Sequence, residues 1–259
     1  MKTLKVLTWV VLMGMAVACS ASQTPDEMAT SGEGTATATE AGASEDTELN
    51  VVRSVMTAAR QTAMSPDEAL QKLKDGNARF VRGEELNRDY SAQVEATAEG
   101  QYPFAMVLGC VDSRAPAELL FDVGFGDIFK ARVAGNFVND DVPGSIEFAT
   151  RVAGAPLILV MGHTSCGAVK GACENVQLGH VSSLVNEIRP SVEAVTPEGE
   201  TCSASNAELV DKVAAHNVDR TIAEIRNESA IIAELEAAGE VKIVGAMYDI
   251  STGVVQFYE

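Results

Sequence analysis

Two cysteines and one histidine stand at spacings that suit a single metal ion. Cys110 opens the run Cys110-Val111-Asp112-Ser113-Arg114, and His163 and Cys166 bracket His163-Thr164-Ser165-Cys166-Gly167. Thiolate sulfur and imidazole nitrogen are the donors zinc favours, and three protein ligands leave a fourth position for water, the pattern of a catalytic site. Two thiolates cancel the charge of a dication, so bound water should be less acidic than the value of ~7 reached where three histidines hold the metal. Arg114 is the nearby positive charge that can compensate. Asp112 has two possible jobs: to accept a hydrogen bond from zinc-bound hydroxide, or to become the fourth ligand and close the site. A bidentate pair with Arg114 would hold it off the metal. Both jobs predict activity that falls with pH. Cys166-Gly167 opens a helix, whose positive end favours a thiolate. Two plainer readings compete: a closed Cys₂His-plus-Asp zinc site that only holds the fold, and cysteines that are simply buried hydrophobes.

These runs need strands to hold them, and apolar stretches precede both. Residues 104–109 read as a short buried strand and 157–162 (Leu-Ile-Leu-Val-Met-Gly) as the clearest one. Strand patterns also cover 127–134, 241–250 and 254–258, the last two joined around Ser251-Thr252-Gly253 as a hairpin. Helical patterns cover 116–121, 144–153, 168–176, 181–188, 207–227 and 230–238. Upstream, 51–64 and 66–82 have helical spacing, the second with Ser65, Pro66 and two acids as a start signal and Gly83 as a stop. Strands alternating with helices predict an α/β fold, with a mainly parallel central sheet flanked by helices and an N-terminal helical arm. Ligands of such sheets bind beyond the carboxyl ends of the strands, where Cys110 and His163 fall.

The N-terminus has a different character. Residues 1–19 read as a secretory signal: Lys2 and Lys5, then an uncharged stretch from 6 to 18 that is shorter than the ~20 residues of a spanning helix. Ala16-Val17-Ala18-Cys19 resembles a bacterial lipobox, with Ala16 where Leu is usual, so Cys19 is the expected lipidation site. The alternative is an ordinary cut near Ala18 with Cys19 unmodified. Residues 20–50 are rich in Ala, Thr, Ser, Gly and Glu without an aromatic, and read as a disordered tether. That leaves 51–259 as the catalytic domain, exported to the periplasm or cell envelope and held to a membrane only through the lipid. A formal charge of −18 excludes a nucleic-acid partner, which needs basic stripes.

At the residues of the two-part motif the chain resembles the β-class carbonic anhydrases. The likeness is carried by Cys110-x-Asp112-Ser113-Arg114 and His163-x-x-Cys166-Gly167. Similar, too, are Gly126-Asp127-Ile128-Phe129, Arg132-Val133-Ala134-Gly135-Asn136, Gly144-Ser145-Ile146-Glu147-Phe148 and Gly245-Ala246-Met247-Tyr248-Asp249 with Thr252-Gly253. The resemblance spans about 66–258. It implies reversible hydration of CO₂ to bicarbonate and a proton, by attack of zinc-bound hydroxide, with one Zn²⁺ on Cys110, His163 and Cys166 and the Asp112–Arg114 pair beside it. It also implies active sites built at a dimer interface, hence a dimer or tetramer. Within the family the plant-like, open-site type is favoured: Gln101 lies nine residues before Cys110, where that type has a substrate-binding Gln. Phe129 matches its apolar wall, and Gly167 offers a backbone N–H. Phe148 stands where that type usually has Tyr, keeping the wall and losing the hydroxyl. Taken alone, Phe129 and Phe148 read as core aromatics and Gln101 as a solvated loop residue.

His180 and His216 read as surface or helix residues. Cys173 and Cys202 are spare thiols that an oxidising compartment would let pair. The stretch 51–64 is read equally as an arm on a partner subunit and as a frayed linker. Two rival functions keep the fold: hydrolysis of COS or CS₂ at the same zinc, and a lipid-anchored zinc module without turnover. Asp112 and Arg114 beside complete ligands argue against the second, which needs neither.

Overall fold

The computed structural model describes residues 50–258. The signal expected over 1–19, its Cys19, and all of the expected tether but Asn50 lie outside them. Among the described residues no helix is long and apolar enough to cross a membrane.

Five strands, β1 (Ala105–Gly109), β2 (Ile128–Arg132), β3 (Leu157–His163), β4 (Lys242–Tyr248) and β5 (Val255–Tyr258), form one sheet in the order β2-β1-β3-β4-β5. The first four run parallel and β5 returns antiparallel to β4. β3 lies between two neighbours and is buried at every position. Successive side chains in a strand point to opposite faces. Leu157, Leu159 and Met161 therefore join the cluster on one face, while Ile158 and Val160 join that on the other. This two-sided burial is why β3 reads as an unbroken apolar run.

The helices are α1 (Ala58–Thr62), α2 (Pro66–Arg82), α3 (Tyr90–Thr97), α4 (Ala117–Leu120), α5 (Val142–Glu147), α6 (Gly167–Cys173), α7 (Gly179–Val195), α8 (Ala207–Glu228) and α9 (Ala230–Ala237). α2 begins with a complete capping box between Ser65 and Glu68 and ends on left-handed Gly83, as its sequence predicts. Its Leu70, Leu73 and Ala69 pack against Leu120 and Phe121. Gly76 is required there: a Cβ would lie 1.8 Å from the Phe121 carbonyl oxygen.

Several expected elements differ. The arm is helical only over Ala58–Thr62. Its preceding residues form no helix, with Val52 bridging to Arg88 and Met56 buried in the core, so tertiary pairing overrides a weak helical pattern. α3 has no apolar stripe and only Gln93 is buried, which leaves periodicity nothing to detect. The helix expected over 144–153 is α5 followed by a π turn, Phe148–Val152. α7 runs past the expected 188 to Val195 and contains Pro190.

Asp122 ties the connection after α4 to the segment after α2. Its buried carboxylate receives Arg79, Arg88 and the Leu86 N–H, at a residue with a left-handed φ of 43°. A buried charge that loses its partner is strongly destabilising. Asp122→Ala strands Arg88, whose side chain is 6% exposed. It should therefore cost about 3–5 kcal/mol in urea unfolding, and a change under 1 kcal/mol would refute the assignment.

Candidate metal centre

β1 and β3 are adjacent and parallel, with Gly109 opposite Met161. From β1 the chain goes out to β2 on one side, and from β3 to β4 on the other. The crevice where connections diverge is where open α/β sheets bind ligands. Cys110 follows β1 directly and His163 is the last residue of β3, while Cys166 caps the start of α6.

The three donor atoms lie within 4.8 Å of one another, and all three residues are buried. The sulfurs of Cys110 and Cys166 are 4.0 Å apart. Tetrahedral zinc with sulfur bonds of about 2.3 Å sets its sulfurs roughly 3.8 Å apart, so the spacing needs almost no adjustment. His163 is 1% exposed. Its Nδ1 lies 2.9 Å from the Thr164 carbonyl oxygen, which can only accept, so Nδ1 carries the proton. Nε2 is then a bare lone pair, buried and without a hydrogen-bond partner. An orphaned buried acceptor beside two thiols is what a metal ion would satisfy. The residues present fit zinc.

The electrostatics agree. The Cys166 thiol and the Gly135 N–H, 3.3 Å from Sγ, favour the Cys110 thiolate against burial and hold its pKa well below the ordinary thiol value. Cys166, beside that thiolate and buried, is pushed well up. Without a cation, one of the pair keeps its proton. Burial works against a charged His163, but Cys110, Thr164 and Asp112 outweigh it and raise its pKa.

Asp112 is paired with Arg114 at two points, Nε to Oδ1 at 2.9 Å and Nη2 to Oδ2 at 2.7 Å, and also accepts the Arg114 N–H at 2.9 Å. These bonds hold its carboxyl well below the usual carboxylate range. A lowered carboxyl pKa contributes stability that is present above the ordinary value of about 3.9 and lost only as pH falls toward the native one. Asp112 is therefore ionised throughout mild acid and above. Its Oδ2 stays 3.8 Å from His163 Nε2.

Side chains that no spacing singled out fix the backbone here. Arg132, on β2, donates to the carbonyls of Cys110 at 2.7 Å and Asp112 at 2.6 Å. Asn217, on α8, donates to the Gly135 carbonyl at 2.8 Å. Asp211, also on α8, accepts the Ser165 N–H at 2.8 Å. The only signal for Arg132 was its place in the run 132–136.

The structure joins Cys110, His163, Cys166, Asp112 and Arg114, with Gly167 next to Cys166, but not Gln101, Phe129 or Phe148. Gly167 is exposed as the first residue of α6. Gln101 is exposed and lines a separate cavity of about 440 Å³ with Thr97, Phe125 and Gly126. Phe129 and Phe148 meet edge to face at 5.9 Å and line another of about 410 Å³ with Met106 and Ser145. Neither cavity includes a metal ligand. Phe148 is 52% exposed, so it is no core aromatic. His180 is exposed, and His216 is half-buried on α8. Cys173 and Cys202 form a disulfide, Cα to Cα 4.9 Å.

The family model described as Carbonic anhydrase matches residues 105–255. A carbonic anhydrase of Mycolicibacterium smegmatis is 42% identical over 193 residues, covering 74% of this chain and 93% of its own. The solved β-carbonic anhydrase of Coccomyxa, in complex with acetazolamide, is 25% identical at a TM-score of 0.57, covering 73% of this chain and 82% of its own. A tetrameric β-carbonic anhydrase of the ascomycete Sordaria macrospora shares the fold at 22% identity and a TM-score of 0.56, covering 74% and 95%.

The disulfide closes a span of 29 residues between the end of α6 and the segment before α8. By loop-closure entropy such a link stabilises by roughly 3 kcal/mol. Replacing both Cys173 and Cys202 by Ser should remove about that much in urea unfolding, and an unchanged midpoint would show that the link is dispensable.

Proposed function

The chain belongs to the carbonic anhydrase family, in its β class, and from that premise we propose that it is an exported, lipid-anchored enzyme with an open, plant-like site shared between subunits. It catalyses the zinc-dependent reversible hydration of CO₂ to bicarbonate and a proton, with one zinc per chain. Cys110, His163 and Cys166 would hold the metal. Bound there, zinc supplies a Lewis acid that makes water a nucleophile near neutral pH.

The observation that carries the open-site reading is the two-point Asp112–Arg114 pair. An ionised carboxylate only accepts hydrogen bonds, so Asp112 orients a hydroxyl proton facing it and leaves the oxygen lone pair for carbon. Arg114 keeps Asp112 charged, fixes its plane and holds it off the metal. It also returns positive charge to a centre that two thiolates neutralise. Arg132 holds the turn that carries the pair.

Gln101, Phe129 and Phe148 are the proposed substrate pocket, with the Gly167 N–H at its edge. The separation of Gln101, Phe129 and Phe148 from the ligands within one chain supports a site completed by a second copy. Exposed Tyr90, Leu119 and Phe125, which line one cavity, give such a copy an apolar face to cover. A dimer or tetramer is proposed on that ground, and the Sordaria macrospora relative is tetrameric. The pattern of residues 1–19 carries the proposal of export with lipid on Cys19. The Cys173–Cys202 disulfide supports it, since disulfides persist in oxidising compartments.

Purified protein should contain one zinc per chain by elemental analysis and hydrate CO₂ in stopped flow, with turnover rising from about pH 6.5 to 9. Asp112→Asn should keep the zinc and lose about a hundredfold in turnover. Zinc without CO₂ turnover at any pH, with or without hydrolysis of COS, would overturn the reading. Cys19→Ser should move the protein from the membrane pellet to the soluble fraction of fractionated cells, and a variant still in the pellet would sink the lipid anchor.

A further inference from the structure

We propose that Asp211 is a positioning residue of the zinc site, holding the turn between His163 and Cys166 in the one conformation that aims both ligands at the same ion. The turn has two residues, Thr164 and Ser165, in which to carry the chain from the end of β3 into α6. It does so by putting Ser165 in the left-handed region, φ 54°. Side-chain sterics disfavour that region for a residue with a Cβ, and such a residue persists only where surrounding contacts fix it. For Ser165 the contact is the Asp211 carboxylate, which accepts its N–H at 2.8 Å. A hydrogen bond to an ionised acceptor is the stronger kind.

The other half of the turn is held by different elements. The Thr164 N–H donates to the Tyr248 carbonyl at 2.9 Å, and the Thr164 hydroxyl accepts the Ile250 N–H at 3.2 Å. Thr164 in turn accepts from His163 Nδ1. The histidine is thus fixed from the end of β4, and Cys166 from α8. Asp211 is itself held in place. Val210 and Val213 beside it pack in one buried cluster with Val169 and Cys173 of α6. The segment before α8 is bonded to the far end of α6 through the disulfide and through Glu174, which accepts the Ala204 N–H at 2.7 Å. α6 is consequently held at both ends: Asp211 of α8 bonds the turn that leads into it, and Cys202, in the segment before α8, bonds its last residue.

This inference rests on the zinc reading of the same site. The test compares wild type with Asp211→Ala, Asp211→Asn and Glu208→Ala. Asn keeps an acceptor oxygen, and Glu208 is an exposed residue of the same helix that pairs, among the described residues, only with Lys212. Zinc affinity is measured by competition with a chromogenic chelator, coordination geometry by the absorption of the cobalt-substituted protein, and scaffold stability by melting of the metal-free protein. Asp211→Ala should weaken zinc by about tenfold or more and shift the cobalt bands. Asp211→Asn should stay within about threefold, and Glu208→Ala should match wild type. Asp211→Ala with wild-type affinity would overturn the proposal, as would weakened affinity with unchanged cobalt bands and a lowered metal-free midpoint, which is a structural role. Wild type that takes up no zinc would overturn this inference and the zinc reading together.

Discussion

Two sulfurs 4.0 Å apart in a buried pocket set the terms for everything around them. If both were ionised with no cation between them, their repulsion and desolvation would be prohibitive. The protein alone resolves the conflict by keeping one proton on the pair: Cys110 low, Cys166 high. A dication resolves it better, because a coordinated thiol is deprotonated outright. The Gly135 N–H aimed at Cys110, the bare Nε2 of His163 and the start of α6 at Cys166 all favour the same charge arrangement. Metal affinity is thus built from groups that have poor alternatives without it.

The three members of the ligand set come from three elements. Cys110 hangs from β1, His163 from β3 and Cys166 from α6, so the set is only as precise as the packing between them. Backbone hydrogen bonds within the sheet fix β1 against β3, but irregular turns follow both strands, and polar side chains from elsewhere must satisfy those turns. Arg132 reaches over from β2, and Asn217 and Asp211 from α8. Gly162 lets α8 come close, since a Cβ there would meet Val218 at 2.8 Å. Close approach of α8 and its polar reach to the turns are two sides of one packing arrangement.

That division explains what the sequence disclosed. Cys110, Asp112, Arg114, His163 and Cys166 were legible because chemistry and short spacing coincide in them, and β3 because burial on both faces leaves an unbroken apolar run. The edges of the fold were not legible. α3 has no stripe to read, and the residues before α1 are set by pairing with Arg88. The π turn that begins at Phe148 is one residue of extra helical slack, invisible to a 3.6-residue period. Asp211 and Arg132 act across 46 and 22 residues through backbone groups, and backbone groups leave no trace in residue type. Gln101, Phe129 and Phe148 carried a family's pattern, yet within one chain they line cavities that include none of Cys110, His163 and Cys166.

The Asp112–Arg114 pair also decides what a pH profile of this site reports. Arg114 lowers the Asp112 carboxyl so far that it does not change charge between mild acid and alkali. A titration seen there belongs to the metal centre. Zinc held by Cys110, His163 and Cys166 would carry no net charge, where three histidines would leave it at +2, so water bound there would titrate to the alkaline side of about 7. One arginine thus does two things at once: it removes Asp112 from the list of titrating groups, and beside a zinc ion it would supply the positive charge that two thiolates take away.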